Sequence, residues 1–248
     1  MTTDHLKIVP SRSRGVPGPV AVWTSELFAT AVLMLSMGLL FRWLFLPGAG
    51  LHSVFPGPAQ RLAVDAVVSG LVVALLIASP LGRISGAHMN PAVTVLMWAM
   101  RKVPGRCVLP YVSAQLVGSV FGLLVARELA GTAVAHPEVA YALLRPSATS
   151  SAFLVTLGEA SATFVLLFVV AALSTGPGPV KWMPWAVGAA LAVLIGVTAQ
   201  TTGGSLNPTR QFGPALMAGE LPILWPYFVG PAAAALLLGL LIRMRGTE

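Results

Sequence analysis

Residues 85–94 read SGAHMNPAVT and residues 203–210 read GGSLNPTR. Each places an Asn-Pro pair beside sequence that resembles hydrocarbon; from Ala66 to Ser79 the chain is almost unbroken Val, Leu, Ile and Ala. Proline cannot continue a helix from behind, because it lacks the amide hydrogen and its ring meets the preceding turn. Asparagine is nevertheless a favoured N-cap, and proline at the first helical position has no amide to waste. Asn90-Pro91 and Asn207-Pro208 therefore read as helix starts. The segments they open, 90–100 and 207–217, are apolar and eleven residues long. A spanning helix needs about 20 residues, so these two are half-crossing helices.

The rest of the composition agrees with a bilayer. Of 248 residues, 56% are hydrophobic and 9% charged, with a mean hydropathy of +0.84. A soluble domain carries about 25% charged residues, so this chain could not clothe a water-facing surface. Six stretches are long enough to cross: 20–46, 61–79, 107–130, 151–174, 184–202 and 222–243. The first is too long for the core of a secretory signal and contains Glu26, so it is read as a span. The net charge of +7 does not imply nucleic acid, since the charges are few and sit at segment ends. Cys107 stands alone, and His5, His52 and His136 are scattered, so no metal site or cofactor is expected. No nucleophile–base constellation or phosphate-binding motif is visible, and an enzyme is not expected.

Positive charge orients the chain. Ten basic residues (Lys7, Arg12, Arg14, Arg83, Arg101, Lys102, Arg106, Lys181, Arg243 and Arg245) share one side if both termini are cytoplasmic. Only Arg42, Arg61, Arg127 and Arg145 take the other, and Arg210 lies within the second half-helix. The bias holds only if 90–100 returns to the cytoplasmic side. Residues 1–19, polar, basic and Pro-rich, read as a disordered cytoplasmic tail. A first repeat over 20–130, an extracellular connector over 131–150 and a second repeat over 151–245 complete the organisation.

The halves match. SELFAT at 25–30 corresponds to GEASAT at 158–163, which pairs Glu26 with Glu159. Tyr111 lies 21 residues after Asn90, and Tyr227 lies 20 after Asn207. Three spans per half is an odd number, so the second half is inverted and the half-helices enter from opposite faces. The fold class predicted is an all-α membrane protein with six transmembrane helices and two re-entrant half-helices. Two helix N-termini, each with unsatisfied N–H groups and a partial positive charge, then meet near the midplane. A neutral solute oxygen would be offered hydrogen bonds there; a cation would meet a positive potential.

These residues resemble the major intrinsic protein, or aquaporin, family over about residues 20–243. The resemblance rests on SGAHMNPAVT, GGSLNPTRQFGPAL, the paired ExxxT, YVSAQLVG at 111–118 and YFVGP at 227–231. It implies a homotetrameric multi-pass channel of the cell membrane, with Asn90, Pro91, Ala92, Asn207, Pro208 and Thr209 as its pore boxes. Thr209 stands where the family usually has Ala, and Gln211 where it has Ser. Counted from the boxes, the family's selectivity filter maps to Gly70, Ile195, Gly204 and Arg210. Water-selective relatives put Phe and His in the first two places; glycerol facilitators carry Asp directly after the Arg. The quartet here is similar to the metalloid-permeable nodulin-like intrinsic proteins of plants and their bacterial relatives. That branch passes boric, silicic and arsenous acids, urea and glycerol. The alternative is a mainly water-conducting aquaporin.

Duller roles compete for several of these residues. Gly70 opens a ridge with Ala74 and Ala78 at helix-contact spacing; it is assigned to the filter here. Ile195 could face a neighbouring helix and Gly204 could serve only a tight loop. Gly118 and Gly122 are read as packing. Glu26 and Glu159 could couple protons in a transporter, but are read with His88 as supports for the re-entrant loops. Arg210, costly in a span, is read as functional.

Overall fold

The computed structural model describes residues 18–174 and 181–245. The predicted tail falls almost wholly on residues 1–17, outside the described residues; Gly18 is extended and Pro19 already opens the first helix. Among the described residues six helices are long and apolar enough to cross a membrane. They are α1 (Pro19–Phe45), α3 (Pro58–Ala78), α6 (Gly105–Ala130), α7 (Ala152–Ser174), α8 (Met183–Thr202) and α10 (Trp225–Arg245). Between α1 and α3 lies the short α2 (Gly50–Val54), and α4 (Pro80–Ser85) follows α3. The half-helices are α5 (Pro91–Ala99) and α9 (Pro208–Ala218). At 9 and 11 residues they extend about 14 and 17 Å, roughly half of a hydrocarbon core.

The starts follow from local chemistry. Proline occupies the first turn of α1, α3, α4, α5, α8 and α9. Span two begins three residues earlier than its hydropathy predicts, at Pro58, because Gln60 Oε1 accepts from the Gly57 amide and closes the turn. The stops that precede the half-helices are matched glycines. Gly86 ends α4 at φ +88° and Gly203 ends α8 at φ +91°, a backbone region that costs a side chain dearly.

The burial pattern is that of a protein in lipid. Every span turns large apolar groups outward, among them Phe28, Val67, Leu124, Phe168, Val197 and Leu240. Inside lie Glu26, Gln115, Glu159, Arg210 and Gln211. Much of both irregular re-entrant loops is buried in the bundle, Ala87, Met89 and Asn90 in one and Ser205 and Leu206 in the other, where non-helical backbone is tolerated.

Two inverted halves pack around a lumen. Within each half the pairing is α1 with α6, and α7 with α10. Small residues permit it: Gly118 and Gly122 face the backbone of Leu27 and Ala31, and Gly230 faces that of Thr156. Between halves α3 crosses α8, where Gly70 meets Gly188 backbone to backbone. The two glycines stand 20 and 19 residues before Asn90 and Asn207, so the contact lies on the pseudo-two-fold axis. The face holding residues 46–57 and 131–151 is the connector face; Pro19 and Arg245 lie at the opposite, termini face.

Candidate functional site: the lumen between the half-helices

The N-termini of α5 and α9 abut. Asn90 and Asn207 have nearly identical extended backbones, φ −152° and −153°. Each side-chain oxygen caps its own helix, accepting from Ala92 N and from Thr209 N at 2.9 Å. Each amide nitrogen then crosses to the other half: Asn90 Nδ2 donates to Leu206 O at 2.9 Å, and Asn207 Nδ2 to Met89 O at 2.8 Å. One N–H per amide remains, and both asparagines line the lumen.

The loops entering the half-helices are strained and braced alike. Met89 and Leu206 sit at φ +48° and +53°. Such residues cost of order 1–3 kcal/mol and persist where surroundings over-determine them. Glu26 accepts from His88 N at 2.8 Å, Met89 N at 2.9 Å and Gln115 Nε2 at 2.8 Å. Glu159 accepts from Ser205 N at 3.1 Å, Leu206 N at 2.7 Å and the Thr202 hydroxyl at 2.7 Å. Tyr111 donates to Ser85 O at 3.0 Å, and Tyr227 to Thr202 O at 2.5 Å. His88 packs on the Tyr111 ring and its Nδ1 lies 3.1 Å from the Thr94 hydroxyl.

A cavity of about 340 Å3 runs along these groups. Two wall stripes have four-residue spacing: Asp65, Ser69, Val73 and Ile77 on α3, and Met183, Val187, Leu191 and Ile195 on α8. They are related by the inverted repeat, so Asp65 lies toward the connector face and Met183 toward the termini face. Arg210, in the first turn of α9, lines the cavity where its counterpart in α5 is Val93. Scaffold symmetry is thus kept while the chemistry is not.

Three of the four predicted filter residues, Ile195, Gly204 and Arg210, line this cavity. Gly70 does not, and that assignment is corrected. A Cβ there would lie 2.9 Å from Ala192 Cβ and strike Gly188 O, so Gly70 belongs to the helix crossing. Ser69 takes its place on the wall. The miscount arises at Ser79-Pro80, where α3 ends and α4 starts anew, so the interval to Asn90 is not one regular path. Gly204 is at φ +70°, and a Cβ would meet Thr198 Oγ1 at 3.2 Å and Ala199 N at 3.3 Å.

Two contributors were missed. The first is the connector, which folds back into the mouth rather than merely joining spans. Ala140, Tyr141 and Ala142 are all left-handed (φ +42°, +57° and +64°). Arg210 Nη1 donates to Ala142 O at 2.7 Å while its guanidinium lies 5.1 Å from the Phe41 ring centroid. Gln211 receives the Leu144 N–H at 3.2 Å and donates to Leu144 O at 2.6 Å. The Gln in place of a small residue was the available signal. The second is Asp65, 3% exposed, on the cavity wall. A carboxylate in an apolar span was itself the clue. Thr209, where the family has Ala, keeps a buried hydroxyl without a partner, while its carbonyl accepts from Ser119 at 2.8 Å. Among the described residues no group of three metal-ligating side chains occurs.

Six spans and two inverted half-helices around a mostly apolar lumen with a few polar groups define a multi-pass α-helical membrane protein. A family model described as Major intrinsic protein matches residues 21–242. Aquaporin NIP3-1 from Zea mays is 39% identical over 173 residues, covering 69% of this chain and 55% of that protein. Aquaporin AqpM from Methanothermobacter marburgensis is 34% identical over 194 residues, covering 74% and 78%. The chain spans about half the length of the NIP3-1 proteins it matches. The aquaglyceroporin structure from Plasmodium falciparum superposes with TM-score 0.71 at 21% identity, covering 90% of this chain and 96% of that one, which shows the fold. The chain belongs to the major intrinsic protein family, a family of channels.

Proposed function

We propose that this protein is a passive channel for small neutral solutes and water, excluding protons and ions. The solutes are metalloid hydroxides (boric, silicic or arsenous acid), glycerol and urea. The observation that carries the reading is the lumen itself. Donors from Asn90, Asn207 and Arg210 line a wall built mostly of Val, Leu, Ile and Met. A solute hydroxyl or carbonyl exchanges its water for those donors while its carbon skeleton rests on the apolar stripes. A cation finds donors and two positive helix ends. Solutes larger than water are favoured by the mouth, where Ser69, Ile195 and Gly204 replace aromatic bulk. A relative named Propanediol uptake facilitator PduF from Citrobacter freundii, 32% identical, supports a polyol pathway.

Glu26 and Glu159 serve as braces in this reading, not as proton carriers, because each already accepts three hydrogen bonds. His88 completes the first brace. The protein sits in the cell membrane as a homotetramer with both termini cytoplasmic and 131–150 outside. Reconstituted vesicles tested by light scattering with water, glycerol, urea, boric acid and arsenous acid are the decisive experiment. Water flux far above protein-free vesicles, without faster solute flux, would establish the water-channel alternative.

A further inference from the structure

Asp65 is unused by that account. It lies on the cavity wall one helical turn from Ser69, toward the connector face, and is buried. Its Oδ1 accepts from the Ser69 hydroxyl at 3.1 Å. Among the described residues no hydrogen bond reaches Oδ2. Asp65 itself borders the lumen. Arg210 lines the same cavity. The two do not close an ion pair; among the described residues that contact is formed only by Arg145 and Glu220. Arg210 instead spends one N–H on Ala142 O. A guanidinium offers donors only and an ionised carboxylate acceptors only. The cavity lining thus carries a donor wall at Arg210 and an acceptor wall at Asp65, and the two do not pair.

We propose that Asp65 determines specificity, accepting N–H or O–H hydrogens from a solute whose oxygen Arg210 holds, so that compact trigonal solutes with donors and acceptors on opposed edges are favoured. Urea is the simplest of these, and boric acid, whose three hydroxyls each donate and accept, can also serve both groups at once. The inference rests on the channel reading and narrows its substrate class. A linear polyol presents one hydroxyl at a time and engages the two walls less completely. Charge-assisted bonds are about twice as strong as neutral ones, so the carboxylate counts for more than another backbone carbonyl. The same carboxylate offsets part of the Arg210 charge and leaves more of the cation barrier to the half-helix ends.

The test uses the full chain reconstituted in vesicles, with urea as probe and water as internal reference. Asp65→Asn keeps the shape and an oxygen for Ser69, but turns the other position into a donor. The expected result is a drop of about tenfold in the urea-to-water flux ratio, the scale of one lost bond to a charged group. Asp65→Glu restores most of the ratio. Asp65→Ala carries the same expectation as Asp65→Asn and replaces it if that variant does not assemble. An unchanged ratio overturns the proposal. So does an equal loss of both fluxes that Asp65→Glu fails to rescue, which would make Asp65 a prop for Arg210. Wild-type vesicles no faster than protein-free ones for water and for urea would refute the channel reading instead, and this inference with it.

Discussion

Glu159→Gln is the sharpest probe of how the re-entrant loops are held. The side chain is nearly isosteric, so packing is preserved and only the hydrogen-bond inventory changes. Glu159 accepts on both oxygens, Oε1 from Thr202 and Ser205 N, Oε2 from Leu206 N. A glutamine can keep one oxygen. Its NH2 must then face a backbone N–H, and one bond to a charged acceptor is lost. Such a bond contributes about 1.5–3 kcal/mol net, and the surviving two fall toward the neutral range of about 0.5–1.5 kcal/mol each. The gross loss is about 4 kcal/mol. Burying a neutral amide costs less than burying a carboxylate, which returns part of it, leaving about 2–3 kcal/mol. Leu206, at φ +53°, is the residue released, and its carbonyl is the acceptor for Asn90 Nδ2. The damage thus crosses to the other half. For a chain of this size the midpoint of thermal unfolding should fall by about 5–10 °C, read by fluorescence-detected size exclusion after a heating ramp. Solute flux should fall with it. A variant of unchanged stability would refute the brace. Lost flux at unchanged stability would point to the proton-coupled role that the hydrogen bonds argue against.

Further outcomes are expected for four single variants. Arg210→Ala leaves Asp65 as the mouth's unbalanced charge and Ala142 O without its donor, so solute flux persists while a cation leak appears in a vesicle dye assay; adding Asp65→Asn should reduce that leak. Gly70→Ala should destabilise the assembled protein by about 1–3 kcal/mol through overpacking against the Gly188 carbonyl and Ala192, with water and glycerol fluxes falling together, whereas Ser69→Phe should cut glycerol flux far more than water flux while leaving thermal stability near wild type. Ile195→Cys should make solute flux sensitive to mercurials, against a wild type left insensitive because Cys107 stands on α6 away from the lumen.

The half-helices were legible because their signal is local. Asn as cap and Pro at the first position act within one turn, and α5 and α9 begin at Pro91 and Pro208. The inversion was legible because counting spans needs no side-chain detail. Gly70 shows where counting fails: one new cap at Ser79 resets the helical phase, and a neighbour one residue away takes the wall. The connector was illegible for another reason. Ala140, Tyr141 and Ala142 have no intrinsic preference for positive φ; they are held there by groups on α9, 67 and 68 residues along the chain. Only tertiary contacts specify that turn. Asp65 was readable by its cost alone, but that it shares one cavity lining with Arg210 emerges only in three dimensions.

The lopsided lumen has a kinetic consequence. Met183 stands where Asp65 stands in the other half, and Val93 where Arg210 stands, so a solute climbs a different free-energy profile from each side. No such profile can act as a diode for a dilute neutral solute. Microscopic reversibility requires equal permeability in both directions, because the same barriers are crossed in reverse order. The asymmetry shows instead in saturation. The donor–acceptor mouth fills first from the connector face as concentration rises, so flux levels off at different concentrations for import and export. Direction belongs to the gradient, and the placement of one arginine and one aspartate decides from which side the conduit becomes crowded.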